Sequence, residues 1–247
     1  MERLDSEMAR RGLALSREKA QRLIMAGRVR VNSRPASKPD LRVDAATAIA
    51  VIGPFAEYAS RGAYKLLAAL DHFSIDVGDR RALDVGASTG GFTDALLQRG
   101  AAHVIALDVG YGQLVERLRI DPRVSVIDRF NIRYITATTL PYMPDLVAVD
   151  TSFISLKLVL PAIVTIVSPL AEIIVLIKPQ FEVGKARVGK GGVVRDPLLH
   201  QQAIDEVLDA ARAHGLTNAG TIESPIRGAD GNREFLALLR PDASNFA

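Results

Sequence analysis

The 247-residue sequence contains no cysteine and no tryptophan. The lack of cysteine excludes a disulfide framework and a thiolate metal site. The four histidines are scattered without metal-ligand spacing, so no metal is expected. The apolar runs are far shorter than the roughly 20 residues that span a bilayer, and no basic leader with an apolar centre opens the chain. These features predict a cytoplasmic protein that does not enter a membrane.

Basic residues are concentrated near the amino terminus, although the formal net charge is only +3. Residues 1–52 hold 11 lysines and arginines against 6 acidic residues, whereas the remainder holds 20 against 22. Such an excess on a short segment is typical of polyanion binding, because each phosphate contact releases condensed counterions. RNA, DNA and an anionic lipid surface would all satisfy this charge.

Hydrophobic periodicity divides the chain into two domains. In residues 1–52 it predicts two helices, of which the second begins at Ser16 and ends at Gly27, followed by short strands. The pattern then breaks, and residues 53–60 are predicted to form a linker. Residues 61–247 alternate between strand-like and helix-like segments. This alternation predicts an α/β domain with a doubly wound, mostly parallel sheet.

A glycine-rich turn follows the first predicted strand of the second domain. In the segment LDVGASTGGF, Gly86, Gly90 and Gly91 come after the strand and lead into a helix. Ligands of open α/β sheets bind at such turns, and Asp84 could receive a cationic or hydroxyl group of the ligand. The spacing departs from the dinucleotide fingerprint G-x-G-x-x-G, and no Walker GK[ST] follows. NAD and ATP are therefore disfavoured.

This turn resembles motif I of class I methyltransferases, in which the loop carries the methionine moiety of S-adenosyl-L-methionine. The resemblance implies a class I, Rossmann-like sheet, and it assigns cofactor binding to the residues around the turn: Asp84, Gly86, Ser88, Gly90, Gly91 and Phe92. Asp108 ends the next predicted strand, where related methyltransferases hold the two ribose hydroxyls; capping of the turn is the alternative. Asp128 and Asn131 follow the third strand, where related enzymes approach the adenine.

Four charged residues lie at the ends of predicted elements: Lys65 in SRGAYKL, Asp150 in LVAVDTSF, Lys178 in VLIKPQFE and Glu234 in GNREF. In isolation, each would be interpreted as a surface salt bridge. In this order and context they resemble the Lys-Asp-Lys-Glu tetrad of FtsJ-type ribose 2′-O-methyltransferases. The resemblance implies that Lys178 orients the ribose hydroxyl and helps to remove its proton. Asp150 and Glu234 would then hold the lysines, and Lys65 would position the substrate.

The amino-terminal segment, ERLDSEMARRG followed by LSREKAQRLIMAGRVRVNSRPA, resembles the small α+β RNA-binding domain named after ribosomal protein S4. That resemblance implies RNA contacts at Arg3, Arg17, Lys19 and Arg28, each of which could equally be a solvated surface residue. From residue 2 to about 240, the chain resembles the TlyA family of ribosomal RNA 2′-O-methyltransferases, historically also labelled hemolysins. The implied partner is ribosomal RNA in ribosomal subunits. The oligomeric state stays open.

Three other functions agree with only part of the sequence. A membrane-active hemolysin fits the historical label and the basic segment, but the sequence lacks a long amphipathic basic helix. A ribosome-associated protein without catalysis would not need the four charged residues. A nicotinamide-dependent oxidoreductase requires the glycine spacing that is absent. Residues 181–196, FEVGKARVGKGGVVRD, are predicted to form a basic, glycine-rich loop that either folds over RNA phosphates or is simply exposed.

Overall fold

The structure is a computed structural model that describes residues 1–14, 16–25, 27–52, 58–228 and 230–242. The chain forms two compact units, and the boundary between them lies between Glu57 and Tyr58. Of the predicted linker, residues 53–57 lie outside the described residues. Tyr58 and Ala59, at its other end, are buried in the core of the second unit. The second unit therefore begins before residue 61, where the sequence placed its start.

The first unit packs two helices against short antiparallel strands. Its elements are β1 (Glu2–Arg3), α1 (Leu4–Arg10), α2 (Arg17–Met25), β2 (Val29–Val31), β3 (Arg34–Pro35), β4 (Arg42–Val43) and β5 (Ile49–Val51). Ser16 accepts a hydrogen bond from the backbone N–H of Lys19 at 3.2 Å, which caps α2 as predicted. Leu4, Met8 and Ile24 are fully buried between the helices and strands. The predicted α+β architecture is confirmed.

Acidification is expected to destabilise the first unit through Glu7. This buried carboxylate pairs with Arg10 and Arg11, each at 2.6 Å. The hydrogen bonds from Arg10 and then Arg11 lower the pKa of Glu7 from 4.5 to about 2. Because the folded-state pKa is the lower one, the stabilisation is complete above pH 4.5 and is lost as the pH falls towards 2.

Thermal unfolding of the wild type and of Glu7→Gln, followed by circular dichroism across this pH range, tests the effect. The variant should unfold at a lower temperature at pH 7. The difference between the two midpoints should shrink steadily as the pH falls from 4.5 towards 2. A difference that does not change with pH would contradict the expectation.

Within the described residues, seven strands of the second unit form one sheet in the order β11-β12-β10-β9-β6-β7-β8. The strands are β6 (Arg81–Val85), β7 (His103–Leu107), β8 (Val124–Ile127), β9 (Leu146–Val149), β10 (Glu172–Ile177), β11 (Leu216–Glu223) and β12 (Phe235–Pro241). Strands β6 to β10 pair in parallel. Strand β12 runs antiparallel to both β10 and β11. The sheet is thus mostly parallel, as predicted.

Helices cover both faces of this sheet. They are α3 (Ala63–His72), α4 (Gly91–Gln98), α5 (Glu116–Arg119), α6 (Leu160–Val164), α7 (Pro179–Glu182) and α8 (Pro197–Ala213). Val147 and Val149 of β9 belong to one buried cluster, whereas Leu146 and Ala148 belong to another, so successive side chains enter separate cores. This is the predicted class I sheet. No helix of the described residues is long and apolar enough to cross a bilayer.

The sheet topology brings distant charged residues to one edge. Ile177, the last residue of β10, pairs with Phe235, the first residue of β12. Lys178 and Glu234 are therefore neighbours at this edge. Strand β9 lies on the other side of β10 and runs parallel to it, so Asp150, which follows β9, emerges at the same edge.

Candidate active site

Lys178 leaves the end of β10 and turns towards the residues that follow β9. Its Nζ lies 2.5 Å from Oδ1 of Asp150. The same nitrogen donates to the carbonyl oxygen of Thr151 at 3.0 Å and to the hydroxyl of Ser152 at 2.9 Å. The ammonium group is therefore held by one ion pair and two hydrogen bonds. The side chain of Lys178 is only 9% exposed, and its nitrogen is fixed in one position.

A second ion pair joins Lys65 of α3 to Glu234, with Nζ and Oε2 2.6 Å apart and both side chains largely buried. The turn before β12 fits closely around this carboxylate. A Cβ atom on Gly228 would lie 2.5 Å from Oε1 of Glu234, so a side chain at that position would displace the carboxylate. The four predicted residues therefore form two lysine–carboxylate pairs.

A cavity of about 400 Å³ opens at the same edge, where β6, β7 and β9 end. Gly86, Ser88, Asp108 and Asn131 line it, together with residues that include Asp150. A Cβ atom on Gly86 would lie 2.6 Å from the carbonyl oxygen of Asp150, and the glycine has a φ of +86°. Both observations require glycine there. The glycine turn and the segment that carries Asp150 are consequently in direct contact.

Asp108 fixes the wall of this cavity. Its two carboxylate oxygens accept hydrogen bonds from the backbone N–H groups of Ser88 at 2.8 Å and Gly110 at 2.7 Å. Each oxygen retains a further lone pair for a ligand hydroxyl. The carboxylate therefore caps the turn, which was the alternative interpretation, and can still receive a ligand. Asn131, which follows β8, lines the same cavity, and its side chain also caps a short 3₁₀ helix.

Several residues assigned to the cofactor by resemblance do not line the cavity. Gly90 and Gly91 open α4, and the ring of Phe92 is buried in the hydrophobic core, because the first turn of α4 directs it inward. The carboxylate of Asp128 accepts from the N–H of Gly112 at 3.1 Å and pairs with Arg119 at 3.2 Å. These residues shape the loops around the cavity.

Asp84 is fully buried beneath the glycine turn. Its Oδ2 accepts hydrogen bonds from the backbone N–H and the hydroxyl of Thr93, at 2.8 and 2.6 Å. Its Oδ1 has no hydrogen-bond partner among the described residues. Burial raises the pKa of the Asp84 carboxyl to about 7, against the effect of the Thr93 hydrogen bonds. A cationic group nearby would compensate this unsatisfied oxygen.

Phe153 is a site residue that the sequence analysis missed. Its ring is 91% exposed and lies 5.3 Å, centroid to centroid, from the ring of Phe181. The Nζ of Lys178 lies 5.9 Å from the centroid of Phe181. Phe153 has a φ of +64°, which is strained for a bulky residue. The SF dipeptide after Asp150 gave no signal of this conformation.

In the first unit, the buried carboxylate of Asp5 binds two of the four residues that are predicted to contact RNA. Asp5 accepts hydrogen bonds from Arg3 at 3.0 Å and from Arg17 at 3.1 Å, and these bonds keep its pKa well below the usual range. Arg28 donates to the carbonyl oxygen of Ile52 at 3.1 Å. Arg17 is exposed, whereas Lys19, like Arg3 and Arg28, is partly buried.

No group of histidines, aspartates and glutamates that could hold a metal ion occurs in the described part of the chain.

Comparison with known proteins agrees with this architecture. Residues 58–240 match the family of FtsJ-like methyltransferases, and residues 2–49 match the S4 domain. The chain is 51% identical to the 16S/23S rRNA (cytidine-2′-O)-methyltransferase TlyA of Mycobacterium tuberculosis, over 96% of this chain and 89% of the relative. The chain belongs to the TlyA family of FtsJ-like methyltransferases.

TlyA-type relatives also carry a second name. Hemolysin A of Brachyspira hyodysenteriae is 39% identical over 95% of this chain and 98% of its own length. A solved structure of a Streptococcus thermophilus protein with a hemolysin name is 40% identical, with a TM-score of 0.76 over 98% of this chain and 88% of that chain. The TlyA fold therefore extends across both names.

Proposed function

We propose that the protein transfers a methyl group from S-adenosyl-L-methionine to a ribose 2′-hydroxyl of ribosomal RNA. The observation that carries the proposal is the ion pair of Lys178 and Asp150 at the edge of a cavity walled by the glycine turn. Lys65 and Glu234 form the second pair at this edge. Two fixed lysines beside a cofactor cavity suit a reaction in which a hydroxyl oxygen gains negative charge.

The cavity residues fit S-adenosyl-L-methionine. The cavity has a volume of about 400 Å³, which is within the range of small-molecule sites. Asp108 would hold the ribose hydroxyls, and Gly86 and Ser88 would line the methionine moiety. Asn131 would approach the adenine. When bound, the cofactor supplies a methyl group attached to a positively charged sulfur.

The two lysines would act on the substrate hydroxyl. Lys178 donates a hydrogen bond to the ribose oxygen and stabilises the negative charge that develops as the proton leaves. Asp150, paired with Lys178, is available to receive that proton. Glu234 keeps Lys65 in place, and Lys65 positions the substrate. Alignment of the oxygen with the methyl group contributes a large part of the rate.

A substrate hydroxyl would compete for the ammonium group of Lys178, which already donates two hydrogen bonds and lies in an ion pair with Asp150. The hydroxyl of Ser152 is the neutral side-chain partner and the one that most resembles a ribose hydroxyl. The 2′-hydroxyl therefore takes the place of Ser152 on Nζ, while Asp150 stays paired. Ser152 thus serves as a stand-in for the substrate when RNA is absent.

Phe153 is expected to stack on the base of the target nucleotide. Alanine substitution of an aromatic ring that stacks on a base costs about 1–3 kcal/mol, so Phe153→Ala should lower kcat/KM for RNA by roughly 5- to 150-fold. Phe153→Tyr keeps the ring and should retain most activity. Leu170→Ala, at another exposed apolar residue, should have no effect. Equal activity of Phe153→Ala and the wild type in steady-state assays would refute the stacking role.

The first unit would bind ribosomal RNA through Arg3, Arg17, Lys19 and Arg28. Asp5 fixes two of these arginines, so their remaining N–H groups can bind phosphates with little loss of side-chain entropy. The curated relatives are named for the methylation of cytidine in 16S and 23S rRNA, and we extend cytidine in ribosomal subunits to this chain as the substrate. Action on ribosomes would locate the protein in the cytoplasm.

Incubation of the purified protein with labelled S-adenosyl-L-methionine and unmethylated ribosomal subunits tests the proposal. Label should enter the RNA and depend on the subunits. The hemolysin name of some relatives gives a second candidate, membrane lysis. Leakage of dye from anionic liposomes at the same protein concentration, without methylation of RNA, would favour lysis and overturn the proposal.

A further inference from the structure

Three arginines surround a second cavity, of about 480 Å³, in the larger unit. Arg195 comes from the basic loop of residues 181–196, while Arg227 and Arg233 come from the turn before β12. We call this cavity the arginine cleft. Arg195 and Arg227 are exposed, and the side chain of Arg233 is 37% exposed. The cofactor site does not include any of the three.

A buried asparagine ties together the two segments that form the cleft. The side chain of Asn232 donates to the carbonyl oxygen of Gly192 at 2.9 Å and accepts from the N–H of Val194 at 2.9 Å. Asn232 is 1% exposed. These hydrogen bonds therefore fix the basic loop against the turn. The three arginines lie on these two joined segments.

The charges favour an anionic ligand. Asp230 also lines the cleft, and Glu223 pairs with Arg233 at 2.8 Å. Two carboxylates thus face three guanidinium groups. The pair of Arg233 and Glu223 is exposed on both sides, so water screens it and a phosphate can compete for the guanidinium. Arginine binds phosphate oxygens through parallel hydrogen bonds.

His200 forms a buried part of the wall of the cleft. It is buried and lines the cleft, and its Nε2 lies 2.9 Å from the carbonyl oxygen of Val194. That contact assigns the ring proton to Nε2, which leaves Nδ1 as an acceptor. Nδ1 has no hydrogen-bond partner among the described residues. This nitrogen is itself buried, so His200 shapes the wall of the cleft and does not contact the ligand.

The cleft is connected with the catalytic edge through both of its segments. Arg233 directly precedes Glu234, which holds Lys65. The basic loop also lines a cavity with Phe153 and Phe181, on the side of the loop that carries Gly184 and Lys185. A nucleotide at Lys178 would thus have its strand pass beside this loop.

We propose that the arginine cleft binds a backbone phosphate of the RNA strand next to the nucleotide that is methylated. This inference rests on the proposed function and adds a site in the larger unit to the RNA contacts of the first unit. The proposal also assigns the basic loop a role in RNA binding. The loop supplies Arg195 to a phosphate site that Asn232 has already assembled.

The test uses the full-length chain with Arg195, Arg227 and Arg233 replaced by alanine. The matched control removes three other arginines, Arg99, Arg123 and Arg212, each in an ion pair at the opposite edge of the sheet. Binding to purified ribosomal subunits is measured over a series of salt concentrations. The cleft variant should bind roughly tenfold or more weakly, and the slope of log K against log salt should fall by about 1, as expected for the loss of one phosphate contact.

A lysine version of the cleft variant separates phosphate binding from a structural role. Lysine retains the charge, so it should restore most of the affinity and of the salt slope, whereas it would not restore a bidentate pair with Glu223. In methylation assays, the alanine variant should raise KM for subunits more than it lowers kcat. Its affinity for S-adenosyl-L-methionine should be unchanged.

The idea is overturned if the cleft variant binds like the control triple variant, or if the lysine version binds as weakly as the alanine version. The binding series does not depend on methyl transfer. A wild-type protein that binds subunits but transfers no methyl group would therefore refute the proposed function, while the salt slopes would still decide the role of the cleft.

Discussion

Replacing Lys178 by alanine is expected to lower the rate of methyl transfer by about 10²- to 10⁴-fold, the range for loss of an acid–base or charge-stabilising group. The substitution removes the ammonium group that Asp150, Thr151 and Ser152 hold in place. Lys178 does not line the cofactor cavity, so the Kd for S-adenosyl-L-methionine should stay nearly unchanged. Single-turnover methylation of subunits and calorimetry with the cofactor measure the two quantities.

Lys157→Ala provides a matched control, because Lys157 also forms an ion pair at 2.5 Å, with Glu206, but at a site where both side chains are about one-third exposed. It should methylate at the wild-type rate. Full activity of Lys178→Ala in a purified assay would remove Lys178 from the mechanism. A Lys178→Ala protein that also loses the cofactor would assign the residue to binding.

Replacing Asp108 by alanine is expected to raise the Kd for S-adenosyl-L-methionine by about 100-fold or more, because hydrogen bonds to a charged group contribute about 1.5–3 kcal/mol each. The carboxylate both receives the ribose hydroxyls and holds the N–H groups of Ser88 and Gly110. RNA binding without cofactor should be unchanged. Isothermal titration with the cofactor gives the Kd.

Asp108→Asn keeps the shape of the side chain but leaves it a single acceptor oxygen. The amide can cap one of the two backbone N–H groups, and it presents hydrogens where the other N–H group and the second ribose hydroxyl need an acceptor. If Asp108 clamps the ribose, the asparagine variant should bind nearly as weakly as the alanine variant. Asp121→Ala, which breaks an ion pair with Arg123 away from the cavity, should bind like the wild type. Wild-type affinity of Asp108→Asn would leave only the turn-capping role.

The sequence was most informative where regular elements meet. Alternation of strands and helices predicted the parallel sheet, and in such a sheet Asp150 and Lys178 must emerge at one edge because they follow parallel strands. Their pairing at 2.5 Å could not be read from spacing, since 27 residues separate the lysine from Thr151, with which it also bonds. The residue types indicated the chemistry of the site, whereas the contact between Lys178 and Asp150 depends on the topology of the sheet.

Features that depend on loop packing were not predictable. Phe92 belongs to the same motif as Gly86, yet it enters the core because α4 begins at Gly91. Phe153 adopts a left-handed backbone that only the surrounding fold imposes. Asn232 joins two loops that are about 40 residues apart, and no periodic pattern marks such a contact.

The measurement that tests the central claim most directly locates the methyl group on the nucleotide. Ribosomal RNA labelled by the protein is hydrolysed completely in alkali, which cleaves next to every free 2′-hydroxyl. Methyl transfer to ribose predicts label in an alkali-resistant dinucleotide, and Lys178→Ala should abolish it. Label recovered in a mononucleotide would place the methyl group on a base and contradict the assignment of Lys178 and Asp150 to a ribose hydroxyl.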